Sequence, residues 1–140
     1  MPNEKAKIKM LTLEEANALL PQVRLSLKAL RDLRGIILRT EAQIEIEEMT
    51  CSDEKGQLTP AGQAAVTKLM ETFRHQTHQF EEKLGEMFQL GAHLKDLDAG
   101  LVDFYTQRDR EIVFLCWKEG EAEIRHWHPL QGGFQSRQPI

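Results

Sequence analysis

The first third of the chain has apolar residues at alternating spacings of three and four positions, which is the period of one face of an α-helix. Thr12 and Glu15 have the spacing of a capping box, in which two residues satisfy free N–H groups at a helix start. The pattern predicts one long helix from about Thr12 to about Met49, and Pro21 is expected to kink or restart it. The predicted apolar seam is Leu13, Ala16, Leu20, Val23, Leu27, Leu30, Ile37 and Ile44.

A polar segment rich in Asp, Ser and Gly, residues 50–59, interrupts this pattern and predicts a loop. Thr59 followed by Pro60 is typical of a helix start, and Gly91 is typical of the position after a helix end. The second helix would complete an antiparallel helical hairpin over 12–91. Its predicted apolar stripe is Val66, Leu69, Phe73, Phe80, Leu84 and Met87. Because one side of such a hairpin has nothing to cover it, we expect a homo-oligomer, most simply a dimer.

The period changes after Gly91, where β-branched and aromatic residues become common. This change predicts a linker and then a three-stranded antiparallel β-meander over 100–128. The Gly- and Gln-rich segment 129–140 is expected to be an extended tail. The predicted fold class is therefore α+β, with a long helical hairpin and a small antiparallel sheet in a single domain of residues 1–140.

A tight turn at Glu119–Gly120 would set the register of the last two strands. It would place Leu115 opposite Ile124, and Val113 opposite His126. The face predicted to pack on the helices carries Val102, Phe104, Val113, Leu115, Ile124 and His126. The opposite face would carry Asp103, Phe114, Arg125 and Trp127, with Asp103 and Arg125 as a cross-strand charge pair.

Composition narrows the function classes without selecting one. The 140 residues are 29% charged and 41% hydrophobic with a net charge of −4, so a general coat for nucleic acid is disfavoured. No apolar run is long enough to span a membrane, and no apolar segment follows Lys5, Lys7 and Lys9 as a secretory signal requires. We therefore expect a cytoplasmic protein in which Cys51 and Cys116 are free thiols.

Two histidines suggest a site for a divalent metal. His126 and His128 stand two positions apart on one predicted strand, so both imidazoles would point to the same side. A third ligand would have to come from His93, Asp96 or Asp98 in the linker, or from Glu121. The alternative is that His126 is a half-buried sheet residue and His128 a strand-end residue.

For the other ionisable or nucleophilic side chains, a structural role is the favoured interpretation. A stripe on the second helix carries carboxylates and imidazoles at helical spacing, and a solvated face is the favoured interpretation. The stripe is Glu71, His75, His78 and Glu82. Cys116 lies mid-strand between Leu115 and Trp117, where buried thiols are usually inert. On the first helix, Arg31 and Arg34 precede an acidic half, which fits either an antiparallel partner helix or a solvated surface.

Several segments resemble a known family. They are 13–21, 94–98, 100–104, 115–117, 120–121, 126–128 and 137–139. Together they are similar to the short prokaryotic proteins grouped as domain of unknown function 2203, from about Leu11 to Ile140. The resemblance implies no catalytic or cofactor residue, because the function of that family is not established. It directs attention to the C-terminal half, where the matched polar or aromatic residues are Asp96, Asp98, Asp103, Trp117, Glu121, His126, His128 and Arg137.

Two functional hypotheses follow from these patterns. The first is an oligomeric interaction or scaffolding module whose helical hairpin associates and whose C-terminal β head carries a polar site for a ligand of unknown identity. The residues of that site would be Asp96, Asp98, Asp103, Trp117, Glu121 and Arg137. The second is a metal-binding protein or metal-dependent enzyme that uses His126 and His128. Whether the protein is an enzyme stays open at this point.

Overall fold

The structure is a computed structural model that describes residues 8–140. Lys5 and Lys7, on which the prediction about the N-terminal segment depended, lie outside the described residues. The chain divides into two compact units. A helical unit comprises residues 29–83, and a β unit comprises the residues up to Lys28 together with Leu84–Ile140.

The first helix, α1, spans Leu13–Thr50, close to its predicted bounds. The capping box is present: the Thr12 N–H donates to Glu15 Oε1 at 2.8 Å, and the Glu15 N–H donates to Thr12 Oγ1 at 3.1 Å. Pro21 does not restart the helix, which continues through it. A proline removes one backbone bond, and the buried neighbours Leu20 and Val23 hold the helix on both sides of it.

The second helix, α2, spans Pro60–Leu90, and its predicted start and end are confirmed. Thr59 Oγ1 accepts the Gly62 N–H at 3.1 Å, as an N-cap does. Gly91 follows the helix with φ +101°, a conformation that favours glycine. The Ala92 N–H bonds the Met87 carbonyl and the Gly91 N–H bonds the Phe88 carbonyl, which is the Schellman arrangement of a helix end.

The helical unit comprises the part of α1 from residue 29 onward and the part of α2 up to residue 83, and it buries few side chains. Its buried side chains are Leu30, Thr40 and Ile44. Thr40 Oγ1 donates to Gln76 Oε1 at 2.7 Å and so ties the two helices together. Large apolar side chains remain exposed on this unit at Ile36, Leu38, Ile46, Met49 and Met70.

The β unit contains a five-stranded antiparallel sheet in the order β1-β2-β3-β4-β5, so the prediction of three strands is wrong. The strands are β1 His93–Asp96, β2 Leu101–Arg108, β3 Glu111–Lys118, β4 His126–Pro129 and β5 Gln138–Pro139. The extra strands form at both edges, because the predicted linker pairs with β2 and the end of the predicted tail pairs with β4. A 3₁₀ turn at Phe134–Ser136 precedes β5.

The predicted register between the last two long strands is also wrong. Leu115 lies opposite Trp127, and Cys116 lies opposite His126. The segment after β3 is a seven-residue loop instead of a two-residue turn, and β4 begins only at His126. Since side chains alternate between faces, the change of register moves His126 off the predicted apolar face and Trp127 onto it.

Polar contacts explain why this loop does not close as a tight hairpin. The Glu121 side chain accepts the Lys118 N–H at 2.8 Å, and the Glu121 carbonyl accepts the Trp117 indole N–H at 2.9 Å. Asn17 Oδ1 then accepts the Ile124 N–H at 2.7 Å from α1. These bonds satisfy backbone groups that would otherwise extend the β3–β4 ladder.

One face of the sheet forms the core of the β unit. Its fully buried residues include Val102, Phe104 and Trp117, and the first half of α1 buries Ala16, Leu20, Val23 and Leu27. The backbone of Leu11 bonds Tyr105 at 2.9 Å and so fixes the chain just before α1 against β2. The opposite face of the sheet carries buried polar residues, among them Asp103 and His128.

Candidate functional site

The second face of the sheet brings Asp103, Cys116 and His128 together from three adjacent strands. Asp103 on β2 lies directly opposite Cys116 on β3, and His128 lies on β4 opposite Phe114. The three residues are all buried, with exposed fractions of 4%, 1% and 1%. A carboxylate oxygen, the thiol sulfur and an imidazole nitrogen lie within 4.8 Å of one another.

Asp103 and His128 form a buried hydrogen-bonded pair. His128 Nε2 lies 2.9 Å from Asp103 Oδ2, and His128 Nδ1 lies 2.8 Å from the Pro129 carbonyl oxygen. A carbonyl oxygen only accepts, so Nδ1 carries a hydrogen. A second proton therefore lies between Nε2 and Oδ2, and the pair as a whole is electrically neutral. This neutrality explains how two ionisable groups can be buried side by side.

Cys116 is the third member of this cluster. Burial, followed by the charge of Asp103 and a hydrogen bond to it, raises the pKa of the Cys116 thiol to about 12. The thiol therefore keeps its proton at neutral pH and donates it toward the carboxylate. The thiolate is the nucleophilic form, so burial and Asp103 together disfavour nucleophilic reactivity at Cys116.

A cavity of about 170 Å³ adjoins the three side chains. The segment after β4 contributes part of its wall, through Leu130, Gly132, Gly133 and Phe134. Lys95 also borders the cavity, with Nζ 4.7 Å from the centre of the Phe114 ring. The cluster thus has an adjoining space large enough for a small ligand.

A larger cavity of about 420 Å³ lies elsewhere in the β unit, bordered by Leu11, Arg108, Val113 and Trp127 among others. Its carboxylate, Glu15, is already engaged in the capping box. This cavity has no cluster of ligating groups, so it is a weaker candidate than the smaller one.

Glu121 and Arg137 form a second polar group near the cluster. Arg137 Nη2 donates to both Glu121 oxygens, at 2.7 and 2.9 Å, and to the Cys116 carbonyl at 3.2 Å. Burial by itself would raise the pKa of Glu121, but the hydrogen bonds from Arg137 and from the Lys118 N–H outweigh it and lower that pKa. His126 Nδ1 lies 3.7 Å from Glu121 Oε2, beyond hydrogen-bonding distance.

The other residues singled out from the sequence have separate environments. His126 shares a sheet face with His128 but lies outside the three-residue cluster. Asp96 accepts the Ala99 N–H at 3.0 Å in an exposed turn, and Asp98 is exposed close by. Trp117 is buried on the opposite, core-forming face.

The predicted pair between Asp103 and Arg125 does not form. Arg125 lies in the loop before β4 and pairs with Glu123 at 3.0 Å, whereas Asp103 pairs with His128. The altered register is the reason, because β4 pairs with β3 only from His126 onward and Arg125 therefore stays in the loop. On α2, His75 and His78 are exposed, as the solvated interpretation predicted, and His78 contacts Glu82 at 3.4 Å.

His93 also lies on the polar face, directly opposite Asp103. Its ring packs edge-on against Phe88 and Tyr105, at 4.9 and 4.8 Å between ring centres. Burial, and then the charge of Lys95, lower the pKa of His93. The imidazole is therefore neutral at physiological pH and belongs to an aromatic cluster.

Comparison with known proteins places the chain in a family. The model of the family described as uncharacterized conserved protein (DUF2203) matches residues 9–140, and the chain belongs to this family. The chain matches no curated protein. It also matches no solved structure. Within residues 8–140, none of the helices combines the length and the apolar character needed to traverse a bilayer.

Proposed function

We propose that the β unit binds a divalent transition metal through Asp103, Cys116 and His128. The observation that carries this proposal is the presence of three different ligand atoms within 4.8 Å of one another, all on buried side chains. Sulfur, imidazole nitrogen and carboxylate oxygen together match zinc better than magnesium or calcium, which prefer oxygen ligands.

The hydrogen bond from His128 Nδ1 to the Pro129 carbonyl supports the proposal. It holds the proton on Nδ1, so Nε2 is the nitrogen that can offer a lone pair to a metal. A divalent ion would replace the proton between His128 and Asp103 and the proton on Cys116. A 2+ ion balances one carboxylate and one thiolate, so the buried site would remain neutral overall.

Three protein ligands leave one position of a tetrahedral zinc ion for another ligand. The cavity beside the cluster provides space for that ligand. When bound there, the metal would supply Lewis-acid chemistry toward water or a small molecule. A cytoplasmic location, which we also propose, would keep Cys116 reduced and able to bind.

A titration of untagged protein with Co²⁺ tests this proposal. We expect a thiolate-to-cobalt charge-transfer band that Cys116→Ser abolishes and that Asp103→Asn or His128→Gln weakens strongly. The matched controls are Cys51→Ser, which alters the other thiol, and His126→Gln, which alters the neighbouring histidine. A band that survives Cys116→Ser, or that is lost equally in His126→Gln, would reject these ligands.

A second candidate function is self-association of the helical unit. It is favoured by the apolar side chains that α1 leaves in solvent, at Leu38, Ile46 and Met49, with exposed fractions of 57%, 58% and 81%. Light scattering should then show a dimer or larger assembly that Leu38→Glu with Ile46→Glu dissociates. Leu25→Glu, at an exposed position of the β unit, is the control. A wild-type monomer at micromolar concentration would reject this function.

A further inference from the structure

The segment between β4 and β5 lines the cavity beside the Asp103–Cys116–His128 cluster. We propose that residues 130–136 are a lid that opens locally to admit ligands to this cluster, and that the Glu121–Arg137 ion pair is the clasp that keeps it closed. The role of the lid in admitting ligands rests on the proposed metal site, whereas the opening of the lid can be measured in metal-free protein.

The lid has little to hold it apart from the clasp. No residue from 130 to 136 is fully buried, and its two large apolar side chains, Leu130 and Phe134, have exposed fractions of 43% and 39%. Its internal bonds are short-range, from the Gly132 N–H to the Pro129 carbonyl and from the Ser136 N–H to the Gly133 carbonyl, both at 2.9 Å. Segments with so little burial open locally far more easily than a core strand.

Both ends of the lid are fixed to the sheet. His128 and Pro129 pair with β3 before it, and Gln138 pairs with Trp127 after it. The Ile140 N–H also bonds the Arg125 carbonyl at 3.0 Å. The motion expected is therefore that of a loop whose ends stay in place, without unfolding of the sheet.

The clasp connects the residue after the lid to the loop between β3 and β4. Arg137, directly after the lid, reaches Glu121 through two charge-assisted hydrogen bonds and the Cys116 backbone through a third. Its guanidinium also lies 4.8 Å from the Phe134 ring centre, and Lys118 Nζ lies 5.4 Å from the same ring. Loss of Arg137 would thus remove both the ion pair beside the lid and a contact of the aromatic residue in it.

The thiol of Cys116 can report lid opening. In Cys51→Ser protein, Cys116 is the remaining cysteine, and it is buried beneath the lid. The rate of its reaction with Ellman's reagent in metal-free protein therefore measures how often the cavity opens. For the closed protein we expect a slow rate that depends little on low urea concentrations, because local opening exposes little surface.

Arg137→Ala and Glu121→Gln, each in this background, should raise the labelling rate roughly tenfold or more, the size expected when a charge-assisted hydrogen bond is lost. The matched control is Glu123→Gln, which breaks the exposed ion pair with Arg125 and should leave the rate unchanged. Far-UV circular dichroism would check that each variant remains folded.

Two glycines provide a second pair of variants that leave the clasp intact. A methyl group on Gly132 would collide with the Ser136 side chain, whereas one on Gly133 would meet nothing within 4 Å. Gly132→Ala should therefore accelerate labelling, and Gly133→Ala should not. The labelling rates of these two glycine variants test lid opening even if Arg137→Ala fails to fold.

Two results would overturn the lid: equal labelling rates in wild type, Glu121→Gln and Gly132→Ala, or a wild-type rate that rises with urea as steeply as global unfolding does. The Co²⁺ experiment separates this proposal from the metal site. Absence of a cobalt band rejects the site and leaves the labelling result standing. If cobalt binds while labelling is unaffected by the clasp, the lid alone is rejected.

Discussion

The helical unit and the β unit use their residues in different ways. The helical unit has regular elements, exposed apolar side chains and three buried side chains. The β unit buries a carboxylate, a thiol and an imidazole side by side. Local periodicity is enough to form the first, whereas the second depends on which strand residues face each other. The candidate site of this protein therefore depends on the pairing of strand residues more than on composition.

The largest expected effect is the loss of one partner from the buried pair. Asp103→Ala leaves His128 buried without its carboxylate and should lower the free energy of unfolding by about 3–5 kcal/mol. Denaturant titration measures the change. The double variant Asp103→Leu with His128→Phe should lose clearly less free energy of unfolding than the sum of the losses in Asp103→Leu and in His128→Phe. Additive losses would show that the two residues are not coupled.

Next in size is a comparison along α1. Leu27→Ala, at a fully buried position of the β unit, should cost about 2–5 kcal/mol. The same change at Leu38, which is 57% exposed in the helical unit, should stay within about 0.5 kcal/mol when the protein is too dilute to self-associate. Similar losses at both positions would mean that Leu38 is covered in solution, as self-association requires.

A smaller effect is expected at the start of α2. Thr59→Ala removes the acceptor of the Gly62 N–H and should cost about 1 kcal/mol in thermal or denaturant unfolding. Thr59→Ser retains a capping hydroxyl and serves as the control. If the two variants unfold alike, the side-chain cap contributes nothing to this helix.

The smallest expected effect is a pH dependence of the clasp. Because the folded-state pKa of Glu121 lies below its usual value of 4.5, its contribution to stability is present above that value and disappears as the pH falls through the folded-state pKa. Between neutral pH and acid, Glu121→Gln should therefore lose less stability than wild type. Parallel pH profiles of unfolding in the two proteins would contradict this expectation.

Much of the helical part was predictable from the sequence because its signals are local. The capping box at Thr12, the start at Thr59–Pro60 and the helix end at Gly91 each depend on residues within one turn. The bounds of both helices were predicted closely for this reason. Of the two outcomes expected at Pro21, a kink or a restart, the restart is excluded because α1 is continuous, and burial of neighbouring side chains offsets the loss of one backbone bond.

The candidate cluster was predicted only in pieces. His128 and Asp103 were singled out, but as members of different groups, and Cys116 was interpreted as an inert thiol. Glu119–Gly120 looked like a two-residue turn, which would have put Asp103 on the face opposite to His126. No local signal showed that the side chain of Glu121 and that of Asn17 would hold the loop open.

Local residue patterns were sufficient to predict where the helices begin and end, that a sheet follows them, and to which family the chain belongs. The five strands of this sheet, and the shared buried face of Asp103, Cys116 and His128, depend on contacts between distant parts of the chain. The physical reason is the two-residue period of a strand. A change of one position in register exchanges the faces, and contacts far away in the sequence select that register.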